Sequence, residues 1–277
     1  MENENTNIKD MKLYVGVERI YNELRELGYN DTDSLEAPAL FPFDQYHYFG
    51  TDTVDEGIRR AGITAESLVL DVGSGLGGPA RYLAHNVGCR VTAVEIQPDV
   101  NKTAADLTRR CGLDHLVKHV CADFLESNDE AKYDVIVSWL AFLHIPDRDR
   151  LLRRCLDALK PAGVLFVEDF HEIGRFTDEE RCQLLADVYC EYLPSLGEFR
   201  EQCRGAGFTA IDSVDSTQAA IAFSVERAQA FIDNRPRQVR VHGKDVADGL
   251  QHFFSVIGSL FEGGHFGFGN VLAKKTD

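Results

Sequence analysis

Residues 68–84 read LVLDVGSGLGGPARYLA. Gly73, Gly75 and Gly78 stand there at the spacing G-x-G-x-x-G, after a short apolar run and before a helical pattern. Such a turn lets a nucleotide-like ligand approach the backbone closely. The glycines alone admit NAD, FAD or S-adenosylmethionine, and three acids narrow the choice. Asp71 lies inside the run, two residues before Gly73; Glu95 closes the next run, VTAVEI; Asp123 follows the third. If these runs are parallel strands of one sheet, their carboxyl ends bring all three acids to one crevice. Asp71 would repel a pyrophosphate. S-adenosylmethionine has no phosphate, and its sulfonium and ammonium groups attract carboxylates. Glu95 can accept hydrogen bonds from both ribose hydroxyls, and Asp123 from the adenine amino group while Phe124 packs nearby. Ser74, Ile96, Gln97 and Ser138 complete the expected cofactor-binding set.

The elements that must position these groups follow from periodicity. Apolar runs at 68–72, 91–96, 116–121, 134–139 and 163–168 read as strands, and helical patterns fall between them at 77–86, 98–111 and 147–159, with another near 125–131. Strands apolar on both faces and joined by helices imply a parallel sheet covered on both sides. Ahead of them, residues 12–27 place Leu13, Val17, Ile20, Tyr21, Leu24 and Leu27 on one helical face, with Gly28 as C-cap. A loop and the aromatic segment FPFDQYHYFG, Phe41 to Gly50, come next, and then a helix over 53–61. Beyond the fifth strand the pattern gives helices at 176–191 and 195–206, a strand at 208–214, helices near 217–233 and 243–261, and a strand at 266–274. This predicts an α/β, three-layer Rossmann-like fold with a mostly parallel seven-stranded sheet, an antiparallel last strand and a helical cap. The expected divisions are N-terminal helices and aromatic segment (1–62), cofactor-binding core (63–170), and cap helices with C-terminal strands of the same domain (171–277).

Composition limits the partners. The 277 residues include 29 Lys+Arg and 45 Asp+Glu, a net charge of −16. This argues against nucleic acid and against an anionic membrane surface, both of which select a basic face. No run approaches the ~18 apolar residues of a membrane span, and the polar start MENENTNIKD lacks the apolar region of a secretory signal. The seven cysteines are odd in number and contain no CxxC, the usage of a reduced, cytoplasmic protein. His115 and His119 are four apart but sit among strand-type residues, so no metal site is expected.

From about residue 41 onward the chain resembles class I S-adenosylmethionine-dependent methyltransferases. LDVGSGLGG, AVEI, CADF and LKPAGVLFVEDF occur in order. GGPARYLA, SWLAFLHIPDRDRLLRRC, SLGEFREQCRGAGF and GLQHFF…EGGHFGFGNVLAKKTD are similar to the sarcosine/dimethylglycine N-methyltransferase group. The resemblance implies methyl transfer to a small metabolite, an amine nitrogen first; oxygen, sulfur or carbon of a small aromatic or prenylated acceptor is the second reading. A nicotinamide-dependent oxidoreductase shares the glycine motif, but Asp71 and Asp123 count against it. A non-enzymatic cofactor-binding module would bind the cofactor without turnover. A homodimer stays open.

The resemblance also assigns the acceptor side. The segment after the fourth strand faces the reacting methyl, and its third residue is often acidic; here Ser138-Trp139-Leu140 has Leu140 there. Asp169 and Glu168 are the nearest substitutes by fold position. His144 can orient the acceptor or take its proton, if it is not simply structural. Trp139 and Phe142 either wall the pocket or pack the core. Tyr46 and Tyr48 belong to a segment resembling a lid, with hydroxyls for the methionyl carboxylate or the substrate; the same aromatics could merely fasten the N-terminal helix. In the cap, Arg235 and Arg237 are candidates for a substrate carboxylate, and His265 stands in a glycine-rich turn.

Overall fold

A computed structural model of the chain describes residues 16–276. Its centre is one seven-stranded sheet: β1 (Leu68–Val72), β2 (Arg90–Glu95), β3 (Val117–Cys121), β4 (Tyr133–Trp139), β5 (Leu159–Glu172), β6 (Phe208–Asp215) and β7 (Phe266–Lys275). The strand order is β3-β2-β1-β4-β5-β7-β6. The first five strands pair in parallel and β7 runs antiparallel to both neighbours. The chain moves from β1 outward to β2 and β3, then returns to place β4 on the other side of β1. That reversal opens a crevice at the carboxyl ends of β1 and β4.

Alternate residues of the central strands feed two cores. Val69, Val91, Val135, Val137 and Phe166 pack under α3 (Thr51–Ala61) and α4 (Gly78–Asn86). Leu70, Val72, Ile136 and Leu165 pack under α6 (Arg148–Ala158) and α8 (Leu196–Ala206). A third cluster joins Tyr48, Phe170, Phe266 and Phe268 to α7 (Asp178–Asp187), α9 (Thr217–Asp233) and α11 (Lys244–Glu262). The helix linking β2 to β3, α5 (Pro98–Arg110), meets α1 (Arg19–Glu26) and α2 (Ala37–Asp44) through Val100 and Leu107. α7 and α8 each begin with a complete capping box, Thr177 with Glu180 and Ser195 with Glu198.

Four expectations need correction. Only the C-terminal part of the predicted 12–27 helix is seen, as α1; Leu13 lies outside the described residues, and Leu27 is 56% exposed instead of sharing the buried face of Ile20 and Leu24. The helix near 125–131 shrinks to one 3-10 turn, Phe124–Glu126, because Ser127, Asn128 and Asp129 favour local turns over a continued helix. α2 stands where a proline-containing loop is expected. Pro38 sits in its first turn, where no N–H is missed, and the helix ends two residues past Pro42. α10 (Arg235–His242) has no buried residue and hence no apolar stripe to read; charges hold it, as described below. Among the described residues no helix is long and apolar enough to cross a membrane, and no group of three His, Cys, Asp or Glu side chains could hold a metal ion.

Candidate active site

The glycine turn after β1 is held by its neighbours. Gly73 and Ser74 both donate their N–H to the Val94 carbonyl, at 2.9 and 3.0 Å. Gly73 has φ +73, and a Cβ there would lie 2.3 Å from Ala141, so the loop after β4 presses on this turn. The third glycine of the motif serves another contact: a Cβ on Gly78 would meet the Asp44 carbonyl at 2.5 Å. Gly78 therefore admits the C-terminal end of α2.

Two carboxylates face this turn with capacity to spare. Glu95 accepts from the Gly75 N–H at 3.0 Å and from the Gln97 N–H at 2.8 Å, one bond per oxygen. Each carboxylate oxygen can accept another. Asp71 is 1% exposed, and its Oδ2 meets no donor. Burial first, and the Glu95 charge second, push its carboxyl up to about 7. The Ser74 hydroxyl and the Gln97 side-chain carbonyl are also buried without partners. Ile96, beside them, is 56% exposed. Orphaned acceptors next to an exposed apolar side chain fit a ligand bearing an ammonium, hydroxyls and a flat ring, and they do not fit a pyrophosphate. Asp123 is exposed at the end of β3, with Oδ1 accepting from the Leu125 N–H at 2.9 Å.

Two members of the expected set do not point there. Phe124 is buried against Val94 and Tyr133 in the core, so it offers no face to an adenine. Ser138 donates its hydroxyl to the Val72 carbonyl at 2.9 Å, tying β4 to β1 while fully buried.

The same crevice continues into a cavity with Asp71, Gly73 and Gly75 on one wall and Tyr46, Tyr48, Trp139, Leu140 and His144 among the residues opposite. Leu140 has φ +52, a left-handed backbone costing a non-glycine residue about 1–2 kcal/mol. Its N–H remains bonded to the Glu168 carbonyl at 2.9 Å, so the chain turns out of the sheet at this residue and presents an apolar side chain to the cavity. His144 holds the Tyr189 carbonyl at 3.1 Å. A carbonyl only accepts, so Nδ1 carries the proton and Nε2 is the acceptor. Burial lowers this imidazole's pKa to about 4 and keeps it neutral.

Phe142 and Asp169 are corrections. Phe142 is fully buried between α6 and α8, near Phe199, away from the cavity. Asp169 accepts from the Leu143 N–H and the Phe170 N–H, both at 2.8 Å, on the face of β5 opposite the cavity. Residues two apart share a strand face, so Phe170 lines the cavity and Glu168 turns the same way, where it accepts from the Thr53 hydroxyl. Burial raises the Glu168 carboxyl to about 8.

The segment from 44 to 49 is bolted to α4. Asp44 and Arg81, both side chains completely buried, pair at 2.8 Å. Gln45 donates to Asp44 at 2.8 Å and its carbonyl meets His47 Nε2 at 2.8 Å. Tyr48 is 1% exposed and stacks on Phe268 with ring centres 4.9 Å apart. Tyr46 is half-buried under Arg19, whose guanidinium lies 5.2 Å from the ring centre. Asp44, Arg81 and His47 are absent from the expected site residues, although an Arg within GGPARYLA, on a helix buried along its length, is a legible signal.

The cap candidates are spent elsewhere. Arg235 bonds Gln251 at 2.8 Å and pairs with Asp248; Arg237 pairs with Glu23 at 2.6 Å; His265 meets both Glu180 oxygens at 2.9 and 3.0 Å. None lines the cavity. Arg227 does, although no motif marks it.

Known proteins resemble this chain over the strands that bear the crevice. A family described as methyltransferase domain matches residues 70–167, from β1 through β5. A sarcosine/dimethylglycine N-methyltransferase of Halorhodospira halochloris is 29% identical over 194 residues, covering 68% of this chain and 69% of that protein. A glycine/sarcosine/dimethylglycine N-methyltransferase of Actinopolyspora halophila is 32% identical over 168 residues, 60% of this chain but only 30% of that longer protein. In shape, the chain is similar to a Haemonchus contortus phosphoethanolamine N-methyltransferase 2 solved with S-adenosyl-L-methionine: TM-score 0.78, 21% identity, 92% of this chain and 59% of that one. The seven-stranded sheet with its antiparallel β7 is the α/β methyltransferase fold, and residues 70–167, which carry the glycine turn, Glu95 and Asp123, match the methyltransferase domain family.

Proposed function

We propose that the chain methylates the nitrogen of a small amine. The observation that carries this reading is His144: a neutral imidazole with its Nδ1–H held by Tyr189, which leaves Nε2 as an acceptor on a residue that lines the cavity together with the apolar Leu140. S-adenosylmethionine, when bound, supplies a methyl group activated by a positively charged sulfur. The chain's residues then have three tasks. Asp71, Glu95, Ser74 and Gln97 hold the donor's polar groups, and Ile96 and Asp123 flank its ring. His144 accepts an N–H of the uncharged amine, which leaves the nitrogen lone pair free to aim at the methyl. Trp139, Leu140, Tyr46 and Tyr48 exclude water and hold the in-line approach on which such a transfer depends. A base as weak as His144 positions the amine and does not need to keep the proton, which the methylated nitrogen sheds afterwards to solvent. The relatives named for sarcosine and dimethylglycine support an amine acceptor.

Leu140 favours the second reading, a neutral oxygen or carbon acceptor, because an apolar residue stands at the transfer edge. One experiment separates the two. Incubation with isotopically labelled methyl donor and a panel of small amines, phenols and thiols, followed by mass spectrometry, should place the label on nitrogen. Label on oxygen, sulfur or carbon alone would overturn the amine reading, and donor binding without any product would reassign the chain as a binding module.

A further inference from the structure

Arg227 projects from α9 into the cavity that holds Leu140 and His144. Its guanidinium carbon lies 4.6 Å from the centre of the Tyr48 ring, 4.9 Å from Phe254 and 5.3 Å from Phe223. Aromatic faces attract a guanidinium and remove water from its flat sides, while its N–H groups point outward in the plane. Those N–H groups lack a counter-charge. No carboxylate lies within ion-pair distance of Arg227 among the described residues, whereas Arg60, Arg81, Arg235 and Arg237 each have one. Nε is buried and donates to nothing. The polar groups near it are the Tyr48 hydroxyl, with Ser224 beside that, and the His47 imidazole; burial, the larger influence on each, raises the tyrosine's pKa and lowers the histidine's, so both stay neutral and bring no negative charge.

A desolvated cation without a partner is costly to keep in a folded protein. In a chain of net charge −16, placing an acid beside it would be an ordinary solution. The acid that shares the cavity, Asp71, lies on the cofactor wall, where the donor's ammonium would use it. We infer that Arg227 is an anion anchor: the acceptor methylated in this pocket carries a carboxylate or phosphate group that the guanidinium grips through its in-plane N–H edge. This rests on the amine reading for the identity of the methylated atom, but not for the charge at the other end of the molecule. It assigns a specificity-determining role to the cap, and it makes the acceptor a zwitterion-like small molecule, its amine at His144 and its anion at Arg227.

The test uses the whole chain loaded with S-adenosylhomocysteine. Trp139, the single tryptophan, lines the same cavity and reports occupancy by fluorescence, with calorimetry as the second measure. Three matched pairs are titrated: sarcosine against sarcosinamide, phosphoethanolamine against ethanolamine, and propionate against propionamide. The anionic member should bind at least tenfold more tightly than its uncharged counterpart in the carboxylate pairs, the phosphate pair, or both, which also tells which anion is meant. Arg227→Met should abolish the gap while S-adenosylhomocysteine affinity stays within about twofold. If Arg227→Met does not fold, Arg227→Lys keeps the charge over the rings but loses the fork, and should narrow the gap several-fold. Equal affinities within every pair, no binding by any probe, or a gap that survives the substitutions would overturn the assignment and leave Arg227 as a structural bolt. The propionate pair contains no amine, so its outcome holds even if the methylated atom proves to be oxygen or carbon.

Discussion

The two walls of the pocket are built by different means. On the cofactor wall, Asp71, the glycine turn and Glu95 sit on the ends of two paired strands, β1 and β2, and the sheet's own hydrogen bonds fix their spacing. The acceptor wall gathers Tyr46 and Tyr48, the 139–144 turn, and Arg227 from segments far apart in the chain. Side-chain bolts hold it: Asp44 to Arg81 and His144 to Tyr189. On the function proposed above, backbone geometry would secure the common half of the reaction, and replaceable side chains would shape the half that differs from one acceptor to another.

Cutting the bolt beneath the acceptor wall should do the most damage. Asp44 and Arg81 form an ion pair with both side chains at 0% exposure, and Arg81 also reaches the Thr108 hydroxyl at 3.2 Å. Asp44→Ala leaves a buried guanidinium without its counter-charge, a change that typically costs about 3–5 kcal/mol. Urea unfolding should show a loss of that size. A loss under about 1 kcal/mol would mean that water reaches Arg81 readily and that the 44–49 segment is only loosely attached.

A smaller effect separates the walls by pH. Asp71, raised to about 7, must be ionised to hold a cationic group, so ligand binding below that pH has to expel a proton. Affinity for S-adenosylmethionine should fall about tenfold per unit as pH drops from 7 toward 5, and Asp71→Asn should flatten the profile. The stability of the unliganded protein runs the opposite way. A carboxyl with a raised folded-state pKa contributes stability that is complete below its unfolded value near 4 and is lost as pH rises through 7, so the free protein should weaken over that interval and the bound one should not. A pH-independent affinity would show that Asp71 does not face the ligand.

The contrast between the walls also explains which residues are legible in the chain. Asp71, Gly73, Gly75 and Glu95 are legible because strand, turn and strand place them by local spacing alone. Asp169 is not, because periodicity says that Glu168 and Asp169 face opposite ways but not which way the cavity lies. Phe142 is hidden for a similar reason: the left-handed Leu140 redirects the chain after β4, and that backbone choice leaves no mark in residue type. Arg227 is visible in principle. AIAFSVERAQAF carries one arginine four residues from Phe223 and four from Phe231, a cation on an aromatic helical stripe. Its missing counter-charge needs the fold to appear. The hold of α10 on α1 needs the fold entirely, since the acids that Arg237 and Arg240 meet lie more than two hundred residues away.

Those acids give the smallest test. Arg237 and His242 of α10 grip Glu23 of α1 at 2.6 and 2.8 Å, and Arg240 meets Glu26 at 2.8 Å. Burial alone would raise the Glu23 carboxyl, but the hydrogen bonds from His242 and Arg237 outweigh it and bring the pKa down to about 2. The contribution of a depressed acid is complete above its unfolded value near 4.5 and fades as pH falls toward 2. At neutral pH the clasp lies near the surface, so Glu23→Gln should cost about 1 kcal/mol or less. For a chain of this size that lowers the melting temperature by roughly 2–4 °C, and added salt should shrink the difference from wild type. Because the clasp joins α1 to the cap and touches neither β1 nor β2, S-adenosylhomocysteine affinity should not change, and any loss of affinity should fall on the acceptor alone. Equal damage to both affinities would show that the two walls move as one body, and the division between a backbone-built and a side-chain-built half would have to be abandoned.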